Sequence, residues 1–162
     1  MNNLKLPEYR TRYRTRRELR ARNSTKVLAK LDNWVKKLDK KDANYEHHLL
    51  EALWVTWGLN KIDENILTQV LKANDFRART AAVKVLRYAG HQIDNQANLL
   101  LEAAKDAHGR VRLEALVAAS WLDKDAGLKV VNEASKHELD EWMVHAHKTA
   151  LAHLNDKNVA AA

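Results

Sequence analysis

The stretch Arg79-Thr-Ala-Ala-Val-Lys-Val-Leu-Arg-Tyr88 returns, thirty-three residues on, as Arg112-Leu-Glu-Ala-Leu-Val-Ala-Ala-Ser-Trp121. The alignment sets Arg77 on Arg110, Ala82 on Ala115 and Tyr88 on Trp121. One unit earlier, Leu50-Glu51-Ala52-Leu53 matches Leu113-Glu114-Ala115-Leu116, and one unit later Thr149-Ala150-Leu151 keeps the step. The alanines Ala52, Ala82, Ala115 and Ala150 are therefore spaced by 30, 33 and 35 residues. Periods of this size belong to α-solenoids, where each helical hairpin buries its apolar face only against the next. The alanine has a physical reason. Stacked helices approach closely where the side chain is one methyl, and a leucine there would overpack the contact by about 1–3 kcal/mol.

Helical periodicity extends outward from this repeat. Val27, Leu28, Leu31, Trp34, Val35 and Leu38 form one stripe at three- and four-residue spacing, and Leu49, Leu50, Leu53, Trp54 and Trp57 form another. Each stripe predicts one buried helix face, and places Trp34, Trp54 and Trp57 in the core. The single proline, Pro7, lies before the first helix. The spacing predicts helices near 15–22, 24–39, 43–57, 62–73, 76–89, 94–105, 109–122, 124–136 and 139–154. Thr15 with Glu18 reads as a capping box, and Asn23 or Ser24, Asp75, Asp94 and Asp123 stand where helices begin. Gly58 and Gly90 stand where a left-handed residue closes a helix. No convincing alternation predicts strands beyond the N-terminal arm.

Composition narrows the chemistry. The chain has 162 residues, enough for a core without staples. With no cysteine, disulfides, thiolate metal sites, cysteine nucleophiles and thioether-linked haem are excluded. No apolar run approaches the ~20 residues of a membrane span, so no membrane partner is expected. The polar, arginine-rich N-terminus does not read as a signal peptide, and the compartment is left unassigned. The net charge of +7 is uneven: residues 1–41 hold 14 Lys+Arg against 4 Asp+Glu, and residues 42–162 hold 14 against 17. Any electrostatic function therefore belongs to the arm.

Asp106-Ala-His-Gly-Arg110-Val111-Arg112-Leu-Glu-Ala115-Leu116 resembles the HEAT repeat pattern, an aspartate followed by Val-Arg and then small and apolar residues. The resemblance implies a polar ladder between hairpins, carried here by Asp75, Arg79, Asp106, Arg110 and Arg112. Tyr13 through Arg20, Tyr45 through Trp54, Arg79 through Tyr88 and Arg110 through Ser120 are together similar to one region of planctomycete-type multidomain proteins. Those proteins join a sorbosone-dehydrogenase-like propeller, a HEAT segment and a cytochrome c domain. The resemblance implies a helical connector or scaffold, extracytoplasmic in its parent. With no Cys-x-x-Cys-His and nothing propeller-like here, it brings neither the dehydrogenase activity nor the haem.

The arm is the strongest local feature. Arg10, Arg12, Arg14 and Arg16 alternate with Tyr9, Thr11, Tyr13 and Thr15, followed by Arg17 and Arg20. In an extended conformation the arginines share one face and the tyrosines the other. One reading is an anionic partner, with phosphates on guanidinium forks and bases on the tyrosines. The other has the tyrosines packing on the first hairpin and the arginines pairing with acidic groups of this or a neighbouring domain. His137, Glu141 and His145 share a helical spacing that could hold zinc or iron, but no third histidine joins them, and no metal or other cofactor is expected. Ser24 reads as a cap and Ser120 falls late in a helix, so nucleophilic catalysis has little support.

The sequence thus predicts an all-α chain: a basic arm and short capping helix over 1–22, an α-solenoid of about four HEAT-type hairpins over 23–157, and a tail over 158–162. The function expected is non-catalytic docking to a protein partner or a neighbouring domain. Nucleic-acid binding through the arm and a metal-dependent helical-repeat enzyme are the alternatives. Oligomeric state is left open.

Overall fold

A computed structural model describes residues 1–156, and the expected tail at 158–162, with the last position of the expected repeat body, lies outside the described residues. The described residues are helical, with no strand among them. The chain divides into two compact units, Met1–Ala78 and Arg79–Ala162.

The first unit opens with a 3₁₀ turn, Asn2–Lys5, whose Leu4 is fully buried. Then come α1 (Tyr9–Arg20), α2 (Ser24–Lys36), α3 (Tyr45–Gly58), α4 (Glu64–Leu71) and the start of α5 (Phe76–Ala89), inside which the division falls. Helix α3 is the centre: α1, α2, α4 and the 3₁₀ turn all pack against it. It buries His48, Leu49, Glu51, Ala52, Leu53, Val55 and Thr56, so it is covered nearly all round. A helix with no polar stripe is one that neighbours surround.

The second unit holds the rest of α5, a 3₁₀ turn (Gly90–Gln92), α6 (Gln96–Ala103), α7 (Gly109–Ala119), α8 (Lys124–Ala134) and α9 (Glu141–Asp156). Here α7 is the centre, packed by α6, α8 and α9, while α6 also touches α8. The Leu-Glu-Ala-Leu quartets at 50–53 and 113–116 thus mark the central helix of each unit. The four repeat alanines, Ala52, Ala82, Ala115 and Ala150, are all buried.

Caps explain several boundaries. The Asn23 side chain accepts from the Lys26 N–H, Asp63 from Asn65 and Ile66, and Asp123 from Ala126. Three expectations fail. Thr15 and Glu18 lie inside α1, which begins six residues earlier, so they cap nothing; the Thr15 hydroxyl donates to the Thr11 carbonyl and Glu18 pairs with Arg22. Asp94 is not a cap, because α6 starts at Gln96 after Asn95. Neither Gly58 nor Gly90 is left-handed. The left-handed residue after α3 is Asn60, at φ 54°. Lys61 N–H donates to the Thr56 carbonyl and Asn60 N–H to that of Trp57, closing the helix as a Schellman motif.

Candidate functional site

The arm is a helix. Residues Tyr9–Arg20 form α1, so the extended arrangement with arginines on one face and tyrosines on the other does not occur. An alternating sequence also repeats every fourth residue, and at 3.6 residues per turn those positions share a helix face. Arg12 and Arg16 point together at α3, where both bond Glu51: Arg12 Nε donates to Oε1 at 3.0 Å, and Arg16 Nη1 donates to Oε2. Glu51 is 3% exposed, so the pair of guanidiniums is what makes its burial tolerable. Arg12 Nη1 also holds the Leu6 and Pro7 carbonyls, tying down the link before α1.

On the adjoining face, Tyr9 and Tyr13 stack with ring centroids 6.2 Å apart. They stay exposed, at 61% and 45%. Arg16 stands 5.8 Å over the Tyr9 ring and Arg17 5.9 Å over the Tyr13 ring. Across from them lie Trp54 and Trp57 in the last turns of α3, centroids 5.3 Å apart. These tryptophans are half-buried, not core as their stripe suggested; Trp34 alone of the three is buried. Together Tyr9, Tyr13, Arg16, Arg17, Arg20, Trp54, Trp57, Gly58 and Asn60 line a groove of about 880 Å³. Among the described residues no carboxylate lines it. Arg10 and Arg14 are exposed outside the groove.

The expected ladder residues fall in several places. Arg79 of α5 makes a two-pronged bond to Asp106, Nε to Oδ2 at 2.6 Å and Nη2 to Oδ1 at 2.8 Å. Burial pushes the Asp106 carboxyl up, but Arg79 and the His108 N–H outweigh it and leave its pKa below the ordinary value. Arg112, thirty-three residues after Arg79, is buried and donates to the Asp106, Ala107 and Glu138 carbonyls. Each of these arginines therefore reaches the turn ahead of a later helix. In the first unit Glu46, thirty-three residues before Arg79, does the same with reversed polarity. Its carboxylate accepts from the backbone N–H groups of Asn74 and Asp75, ahead of α5. Asp75 accepts from the nearby Arg77, and Arg110 is exposed, its N–H donated to His108 Nδ1.

Sequence reasoning missed Glu51 and Glu46 as polar anchors, and it missed the groove. Glu51 falls off the stripe of Leu49, Leu50, Leu53, Trp54 and Trp57, on the side where a solvated residue is expected, so spacing alone does not mark its burial. Among the described residues no group of three His, Asp or Glu side chains is placed to hold a metal ion, and no helix is long and apolar enough to cross a membrane. The sequence matches no known protein family, and neither the curated proteins nor the solved structures contain a match.

Proposed function

We propose that this chain is a non-catalytic helical-repeat docking module, HEAT-like in architecture, which binds a protein partner or a neighbouring domain through the groove on its first unit. The observation that carries the reading is the groove's composition. Four aromatic rings and three arginines meet in one concave surface, with no lysine among the lining residues. Trp, Tyr and Arg are the residues enriched at the energetic centres of protein interfaces. An arginine over an aromatic ring has also lost part of its freedom before any partner arrives, which lowers the cost of binding.

The contact pattern of the second unit supports stacked hairpins. There α6 touches α7 and α8, and α7 touches α8 and α9, so helices meet both the next element and the one after it. That pattern is what a two-layered repeat stack requires. The thirty-three-residue step from Arg79 to Arg112, each holding a turn ahead of a later helix, agrees with it. In this reading the chain is one segment of a larger bacterial redox protein, and its part is mechanical.

Photo-crosslinking tests it. With benzoylphenylalanine in place of Tyr13, in the protein produced at its natural level, irradiation should give an adduct that protease removes and nuclease does not. A nuclease-sensitive adduct would move the function to nucleic acid. No adduct at all would remove the groove as a docking surface.

A further inference from the structure

The groove's arginines say more about its occupant than its rings do. A base slotted between two rings needs about 7 Å, twice a carbon contact distance of roughly 3.5 Å. The Tyr9–Tyr13 and Trp54–Trp57 centroids stand 6.2 and 5.3 Å apart, so neither pair leaves that gap. Guanidinium groups already stand over both tyrosine faces. A guanidinium held over a ring keeps its N–H edge available, and that edge matches a carboxylate as a two-pronged fork. Arg16 is spoken for by Glu51. Arg17 and Arg20 are exposed, and three residues along a helix place them about 4.5 Å apart along its axis. The surrounding unit is strongly basic: Met1–Ala78 holds 17 Lys+Arg against 10 Asp+Glu.

Resting on the docking reading above, we infer that the groove receives an acidic segment of a protein partner. Two of its carboxylates pair with Arg17 and Arg20, and an apolar side chain of the same segment lies against Trp54 and Trp57. Charge complementarity selects this occupant over a neutral peptide. Neither ring pair admits a base between its rings, so sandwich stacking of a nucleobase is removed, and the tryptophan pair beside the arginines suits an apolar side chain carried by the same acidic segment.

The test is fluorescence anisotropy of a fluorescein-labelled Glu-Glu-Trp-Glu-Glu peptide titrated with the whole chain. Arg17→Ala combined with Arg20→Ala should weaken binding by about tenfold or more, the loss of two charge-assisted forks. Arg10→Ala combined with Arg14→Ala removes the same charge from the same helix but from side chains that do not line the groove, and should weaken binding several-fold less than the groove pair, through the loss of general charge alone. A Gln-Gln-Trp-Gln-Gln peptide should not bind. The inference is overturned by absence of binding to the acidic peptide, by equal losses in the two double variants, or by tighter binding of an oligo(dT) of equal charge. A polypeptide adduct at Tyr13 alongside a failed peptide titration would reject the acidic occupant and leave the docking reading in place.

Discussion

Two histidines sit beside the buried Glu51 on α3, and both are held towards the neutral form. Burial lowers the His47 pKa, the Arg12 charge adds to this, and Glu51 opposes it less effectively. Burial also lowers that of His48, against the opposing charge of Asp42. Their folded values therefore lie below the ordinary 6.5. A group whose folded pKa is depressed binds more protons when unfolded over the interval between the two values, so stability rises with pH there. The histidine contribution is complete above 6.5 and is lost as pH falls through the folded values. The urea midpoint should accordingly drop as pH falls below the ordinary histidine value of 6.5, and His47→Gln should flatten part of that slope. Asp106 and Glu46, with lowered carboxylate values, act only in a separate and more acidic window.

At the scale of the element, close approach decides more than propensity. A Cβ on Gly127 of α8 would lie 2.8 Å from the Ala119 carbonyl oxygen and 2.6 Å from Leu154 Cδ2. The leucine can rotate; the carbonyl belongs to the α7 backbone and cannot. Alanine improves helix propensity by about 1 kcal/mol, while overpacking costs about 1–3 kcal/mol. Gly127→Ala should therefore lower stability by up to about 2 kcal/mol in urea unfolding. Gly58→Ala is the matched control, because its Cβ meets nothing within 4 Å and should leave stability unchanged or slightly raised. The positions of the helices beyond the arm were legible from apolar spacing, since the same spacing creates the buried face. The arm was not, because a two-residue alternation fits a strand and a four-residue helical repeat equally. In the helix two of the arginines meet Glu51, a partner far away in sequence. The groove was hidden for a related reason: Trp54 and Trp57 continue an apolar stripe, and only the packing shows that the end of α3 is left partly uncovered.

Across the whole molecule the two units repeat one arrangement. Each central helix carries Leu-Glu-Ala-Leu, and each of those glutamates meets an arginine that also stands over an aromatic ring. In the first unit these are Glu51, Arg12 and Arg16, and Tyr9. In the second they are Glu114 and Arg87, 3.8 Å apart, with Arg87 4.8 Å over Tyr88 and 5.8 Å over Trp121. Charge breaks the likeness. The second unit, Arg79–Ala162, has 11 Lys+Arg and 11 Asp+Glu, so the whole basic excess resides in the first. The two Leu-Glu-Ala-Leu quartets can be read from the sequence because they are contiguous, whereas the glutamate–arginine–aromatic contacts join residues up to thirty-nine positions apart.

The anchoring of α1 by Glu51 makes the N-terminal segment a reporter of its own attachment. Six arginines, from Arg10 to Arg20, lie in α1, each a site for trypsin. A protease needs its substrate locally extended, so cleavage in a docked helix waits on its opening. Glu51→Ala strips two guanidiniums of their buried partner, which for an ion pair of this kind costs about 3–5 kcal/mol. Brief digestion should then cut the variant within residues 10–20 well before it cuts after Arg112, while the native chain resists at both places. Equal rates of early cutting in the two proteins would mean that the Glu51 contacts do not hold the helix.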